Sequence, residues 1–138
     1  MRFLLAATLG ILLSGCSPER VQVSAERLEH LAIFDCPVAS GTYEEAEIED
    51  LIAHPDLFDA KAIKVSGFYH SSFEHQALYP TPADDIFEHG LWILGGNDAL
   101  KGKRIVVRGV YAPSIHGHLG QWPASICVHS VVAAEHTG

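Results

Sequence analysis

The chain has 138 residues, with nine Lys or Arg against 17 Asp or Glu, nine histidines and a formal charge of −8, a length that suits one domain. Such acidity repels phosphate backbones and anionic lipid surfaces alike unless the few cations cluster, and it argues against a nucleic-acid partner. None of the three cysteines sits in a C-x-x-C pair, which argues against a zinc ribbon or a dithiol redox centre.

In chain order, Arg2 precedes the apolar run Phe3 to Leu13, too short to span a bilayer as a helix and patterned like an export signal. It ends in Leu13-Ser14-Gly15-Cys16, which resembles the lipobox of bacterial lipoproteins. The resemblance implies a signal peptide over residues 1–15, with acyl chains such as palmitate on Cys16. The protein is then expected in the bacterial cell envelope, lipid-anchored on the periplasmic side. Ser17 in place of aspartate favours the outer over the inner membrane where two are present. Loss of Arg2 with the signal leaves eight cations against 17 acids, a net −9.

Ser17 to Arg27 is polar without a period, so residues 16–27 read as a tether and 28–138 as a single β-barrel domain. An oxidising compartment favours a disulfide between the two remaining cysteines, Cys36 and Cys127. Thr42 and Glu45 have capping-box spacing, while Ile48, Leu51 and Ile52 share one helical face. A short helix is expected there, stopping before Pro55.

Period-two alternation then puts Ile63, Val65, Gly67 and Tyr69 on one face of a strand, with Phe73 to Tyr79 returning. Gly67 suggests a bulge or a sharp coil. Ala83 to His89 reads as a helical turn, and Leu91 to Leu94 as a buried strand that includes Trp92. Lys103 to Tyr111 repeats the first strand with Ile105, Val107, Gly109 and Tyr111 inward. Ser125 to Ala134 closes the domain with Ile126, Val128 and Val132 as core candidates. Lys101, Lys103, Arg104 and Arg108 form one basic cluster, read as a solvated strand face. Together these segments predict a mainly β fold, a small five-stranded OB-like barrel with one or two short helices.

The pattern G-F-x-H-x-x-F-E-x-x-A-L-Y at Gly67 to Tyr79, followed by a tryptophan-containing strand and G-H-L-G at Gly117 to Gly120, resembles a family of uncharacterised small bacterial envelope proteins. The resemblance covers roughly Ile48 to Val132 and implies a fold and a set of positions rather than a chemistry: His70, Glu74, Leu78, Tyr79, Trp92, His118 and Gly120.

The recurrence of a V-x-G strand followed by a histidine loop predicts that the two loops meet at one end of the fold. His70, Glu74, Tyr79, His116, His118 and Trp122 are the ligand-binding candidates. Two imidazoles and a carboxylate, His70, His118 and Glu74, suit zinc or copper as a cofactor. Against this stands a structural role, with Glu74 and His118 locking the loops together, and a minor third reading is a general base with an orienting acid. No nucleophile triad or phosphate-binding glycine loop is present in the sequence, so an enzyme is not expected. The leading expectation is a membrane-anchored binding or structural module of unknown ligand. The alternatives are a divalent-metal-binding lipoprotein and a binder of cell-wall oligosaccharide, with Trp122 as the stacking surface.

Overall fold

The computed structural model describes residues 17–135, so Cys16 and the signal segment lie outside the described residues. The fold is mainly β, a six-stranded mixed sheet with three short α-helices. The strands are β1 (Glu44–Glu45), β2 (Ala62–Ser72), β3 (His75–Tyr79), β4 (Leu91–Leu94), β5 (Arg104–Ala112) and β6 (Ser125–Ala133). The helices are α1 (Ala25–Ala32), α2 (Ile48–Ala53) and α3 (Pro55–Phe58). β2 pairs antiparallel with β3 on one side and with β5 on the other; β3 pairs with β4, β4 runs parallel to β6, and β6 pairs antiparallel with β5. The short β1 lies parallel to the start of β2. Among the described residues, no helix is long and apolar enough to cross a membrane.

The alternation read from the sequence sets the inside. Ile63, Val65 and Tyr69 of β2 pack with Leu78, Ile93, Ile105, Val107, Tyr111 and Ile126, all at 2% exposure or less. α2 closes this core with Ile48 and Leu51, and the Tyr111 hydroxyl donates to the Leu51 carbonyl at 2.6 Å, so a buried polar group is satisfied. Gly67 is what lets α2 approach: a Cβ there would sit 2.7 Å from Ile48 Cδ1 and 2.7 Å from Leu78 Cγ. The strand is not bulged at Gly67, as the sequence had suggested, since it pairs in unbroken register with Ile105.

The irregularity falls instead on β6. Arg108 faces Ser130 and Gly109 faces Val128, so His129 is the extra residue. An extra residue in a period-two pattern swaps the faces beyond it. Val131 therefore packs against the core, and Val132, expected inside, is 48% exposed.

Two local expectations are corrected. Thr42 and Glu45 do not form a capping box: Thr42 bridges Arg20, and Glu44–Glu45 pair with Ile63 and Lys64 as β1. α2 begins only at Ile48, its N-cap Glu47 making no side-chain cap bond. Backbone pairing to β2, backed by Lys61–Glu44 and Lys64–Glu45 contacts of 3.7 Å, outcompetes a local cap. The stretch expected as tether docks from Glu19 onward, where the Tyr43 amide donates to the Glu19 carbonyl and Arg108 Nε lies 2.7 Å from Glu19 Oε1, an ion pair set off the direction a hydrogen bond prefers. Ser24 then caps α1 through the Arg27 amide, and Leu31 packs on Val110, Ala112 and Cys127. Cys36 and Cys127 are disulfide-bonded, with Cα atoms 6.1 Å apart, which fastens the end of this segment to β6.

Candidate functional site

Ser72 pairs with His75, so the β2–β3 connection is only Phe73 and Glu74, with Glu74 in the left-handed region at φ 57°. Strand parity puts His70 and Ser72 on the outer face of β2, beside His75, Ala77 and Tyr79 of β3. There the His70 and His75 rings lie 4.0 Å apart between centroids. His70 Nε2 is 3.2 Å from Ser72 Oγ, and His75 Nε2 is 2.7 Å from the Tyr79 hydroxyl.

Two loops cover this face. From the segment after β3, Phe87 packs on Trp122 and His75 with centroids 4.6 and 5.3 Å away. Asp84 holds that loop by accepting from the Ile86 amide at 3.0 Å and lying 2.9 Å from His89 Nδ1, which keeps its carboxyl below the ordinary carboxylate range. From the segment after β5, Trp122 enters at 2% exposure and packs on Trp92 at 4.6 Å and on His75 at 5.2 Å. His116 Nδ1 donates to the Trp122 carbonyl at 3.0 Å. Gly117, at φ 70°, is needed here because a Cβ would come 2.7 Å from Trp92 Cδ2 and 2.9 Å from Trp122 Cε3. The Trp122 indole N–H is buried without a hydrogen-bond partner among the described residues.

The two loops meet, but not through the repeat: β2 and β5 run antiparallel and end at opposite ends of the sheet, and the loop after β5 runs back over His75 and Trp92 to reach the β2–β3 tip. His118 Nε2 lies 3.1 Å from Glu74 Oε2, joining the β2–β3 tip to the loop before β6, with the two side chains 34% and 48% exposed. On either side stand apolar residues, Phe73 at 90% and Leu119 at 79% exposure, the latter also left-handed at φ 56°.

The electrostatics follow from burial. Desolvation lowers the His75 pKa from its ordinary value near 6.5, with the neighbouring His70 acting in the same direction, so this ring is neutral at pH 7. Burial pushes the Tyr79 phenol up to about 12, so it remains protonated. Neither group is poised to exchange protons near neutral pH.

Three expectations about these residues are revised. His70 does not join Glu74 and His118 as a metal triad: among the described residues, no group of three His, Cys, Asp or Glu side chains could hold a metal ion. His70 sits on the strand rather than at its tip and is drawn toward His75 and Ser72. Trp122, expected to be the exposed stacking surface, is buried, whereas Trp92 is half-buried, because the outer face of β4 is covered by the loop that carries Trp122. Tyr79, at 1% exposure, is part of the packing rather than an open contact. Sequence reasoning gave no weight to His75 and Phe87, which stand at the centre of the cluster. The signal was present in the alternation, since a two-residue connection places His75 on the face of His70.

Scans against protein-family models, curated proteins and solved structures find no match for this chain.

Proposed function

We propose that this chain is a lipid-anchored binding module of the bacterial envelope, carried on a small five-stranded OB-like barrel and acting without turnover. The barrel reading is supported by the order of pairings, which runs β2–β3–β4–β6–β5 and returns to β2, with β4 and β6 parallel. The likeness of Gly67 to Tyr79 and of Gly117 to Gly120 to uncharacterised envelope proteins belongs to the same reading, as does the anchor at Cys16. An acidic surface argues against nucleic acid as the partner.

One observation carries the choice of binding over catalysis. At the end where the loops meet, His70, His75, His116 and His118 are each engaged by a neighbouring side chain or carbonyl, while Phe73 and Leu119 present bare apolar surface. A docking surface needs exposed apolar groups at a rigid tip, and the His118–Glu74 link fixes this one. Photo-crosslinkers placed at position 73 or 119 of the anchored protein in cells are expected to give a discrete adduct that a crosslinker at position 57, on α3, does not. Turnover of an envelope substrate that is abolished by His118→Ala overturns the reading.

A second ligand class is favoured by Trp92, whose half-buried indole borders the same cluster: a cell-wall oligosaccharide stacked on that ring. Quenching of indole fluorescence by cell-wall fragments, lost in Trp92→Phe, tests it.

A further inference from the structure

The outer face of β2, β5 and β6 is covered by α1 at Val110, Ala112 and Cys127 but open over its other end, and that open part differs in charge from the rest of this acidic chain. Parity and register align three rows across it: Lys64, Arg108 and Ser130; Ser66, Val106 and Val132; and Phe68 with Arg104, beyond which the Ala134 amide donates to the Arg104 carbonyl. The middle row is apolar in β5 and β6, and Val132 is exposed only because of the bulge at His129. Phe68 and Arg104 border an open cleft of about 540 Å³ with Gly102, Lys103 and Ala133.

The cations of this face are of two kinds. Lys64 and Arg108 are held by Glu45 and Glu19. Lys101, Lys103 and Arg104 are exposed and form no ion pair among the described residues, although the chain carries 17 acids. The acids that share a cavity with these cations are Glu135 at the cleft, Glu45, Glu47 and Glu49 on the α2 side of Arg104, and Glu74 and Asp98 beside Lys101.

The chain's own path supplies the orientation. Arg108 pairs with Glu19, three residues after Cys16, so the anchoring cysteine lies within roughly 11 Å of Glu19 along even a fully extended chain. Arg104 lies four residues from Arg108 on the same outer face of β5, roughly 13 Å along the strand. A domain tethered at that point brings this face to the bilayer before any other.

We propose that Lys101, Lys103 and Arg104, with Phe68 and Val132 beside Arg104, form the contact by which the domain lies on an anionic lipid surface. The ligand chemistry is the phosphate of a lipid headgroup, read by paired lysines and an arginine beside a small apolar wedge. Lys101 also lines a surface cavity with Phe73 and Glu74, so the contact adjoins the tip of the β2–β3 connection. It rests on the anchor at Cys16 from the functional reading above.

The test uses the anchored full-length protein in vesicles of phosphatidylcholine, with or without one third phosphatidylglycerol, pulsed with an amine-acetylating reagent. Lys101 and Lys103 are expected to react about fivefold more slowly than Lys61 in the anionic vesicles only, with the difference gone at about 1 M salt. Arg104→Glu combined with Val132→Asp is expected to abolish that protection while leaving the thermal melt unchanged. Equal labelling of the three lysines in both vesicles overturns the proposal. Protection by inorganic phosphate in detergent, without protection in vesicles, overturns it in favour of a soluble phosphate ligand. Protection seen only in intact cells overturns it in favour of a protein partner. The mass of the N-terminal peptide reports acylation separately. If Cys16 is unmodified, the anchor fails; protection of the unanchored protein by added anionic vesicles then keeps the lipid face, and lack of it ends both.

Discussion

The outer surface of the sheet has two halves that the same period-two pattern produces and tertiary structure treats in opposite ways. Outside β2, β3 and β4 the side chains are histidine, tyrosine and tryptophan, and two loops fold over them until Tyr79 and Trp122 are almost fully buried. Outside β2, β5 and β6 the side chains are valine, phenylalanine and cations, covered by α1 at Val110, Ala112 and Cys127 and open toward Phe68, Arg104 and Val132. The covered half engages its histidines internally, though the Trp122 indole N–H is left without a partner among the described residues, and it stiffens one end of the molecule. The open half leaves Lys101, Lys103 and Arg104 without an ion pair among the described residues, and that difference separates a structural histidine cluster from a surface able to meet a partner.

The largest test of this contrast is Trp122→Ala. Removing the indole from under Phe87 and beside Trp92 is expected to cost about 3–5 kcal/mol, measured by denaturant unfolding, whereas Val132→Ala on the open half should cost under about 1 kcal/mol. Near-equal losses would show that the covered half is not a true second core.

Replacing both Cys36 and Cys127 by serine ranks next. The cross-link separates residues 91 positions apart, so roughly 4 to 5 kcal/mol is expected from chain entropy, visible as a lower melting temperature and as equal sensitivity of the wild type to reductant.

Acid should act through one half-buried histidine of the covered half, His75, and through His129 at the bulge of β6. Burial lowers the folded-state pKa of His75 and of His129, so both are neutral in the native state where the unfolded chain would begin to bind protons. Their effect on stability is therefore nil above about pH 6.5 and becomes a loss as the pH falls from there through the folded-state values. Unfolding free energy should drop over that window, and His75→Gln should flatten the slope; an unchanged slope would place the acid sensitivity elsewhere.

The smallest effect is expected from Glu74→Gln. Its contact with His118 is one-third to one-half exposed, so solvent screening limits the loss to under about 1 kcal/mol. Amide exchange in the loop before β6 should nevertheless quicken, because the link between the two loops is weakened. A loss above about 2 kcal/mol would mean that Glu74 holds more than this one contact.

How much was legible in the sequence differs from residue to residue. Alternation alone placed Ile63, Val65, Tyr69, Ile105, Val107 and Tyr111 inside; Glu74 and His118 do meet as expected, but through the fold-back of the loop after β5, since the recurring strands β2 and β5 are antiparallel. Cysteine count and compartment anticipated the Cys36–Cys127 bridge. These are statements about which face a side chain takes or how many partners exist, and local chemistry sets both.

What only the tertiary structure decided is where pairing and coverage override local preference. Thr42 and Glu45 have the spacing of a cap, yet β2 takes that segment as a strand, because backbone hydrogen bonds to a neighbour outweigh one side-chain bond. A single extra residue at His129 exposes Val132, and nothing in the local pattern marks it, since register belongs to the pair of strands. Whether Trp92 or Trp122 meets solvent depends on which loop lies over which strand, and packing across the sheet settles that because the loops themselves have no periodicity to read.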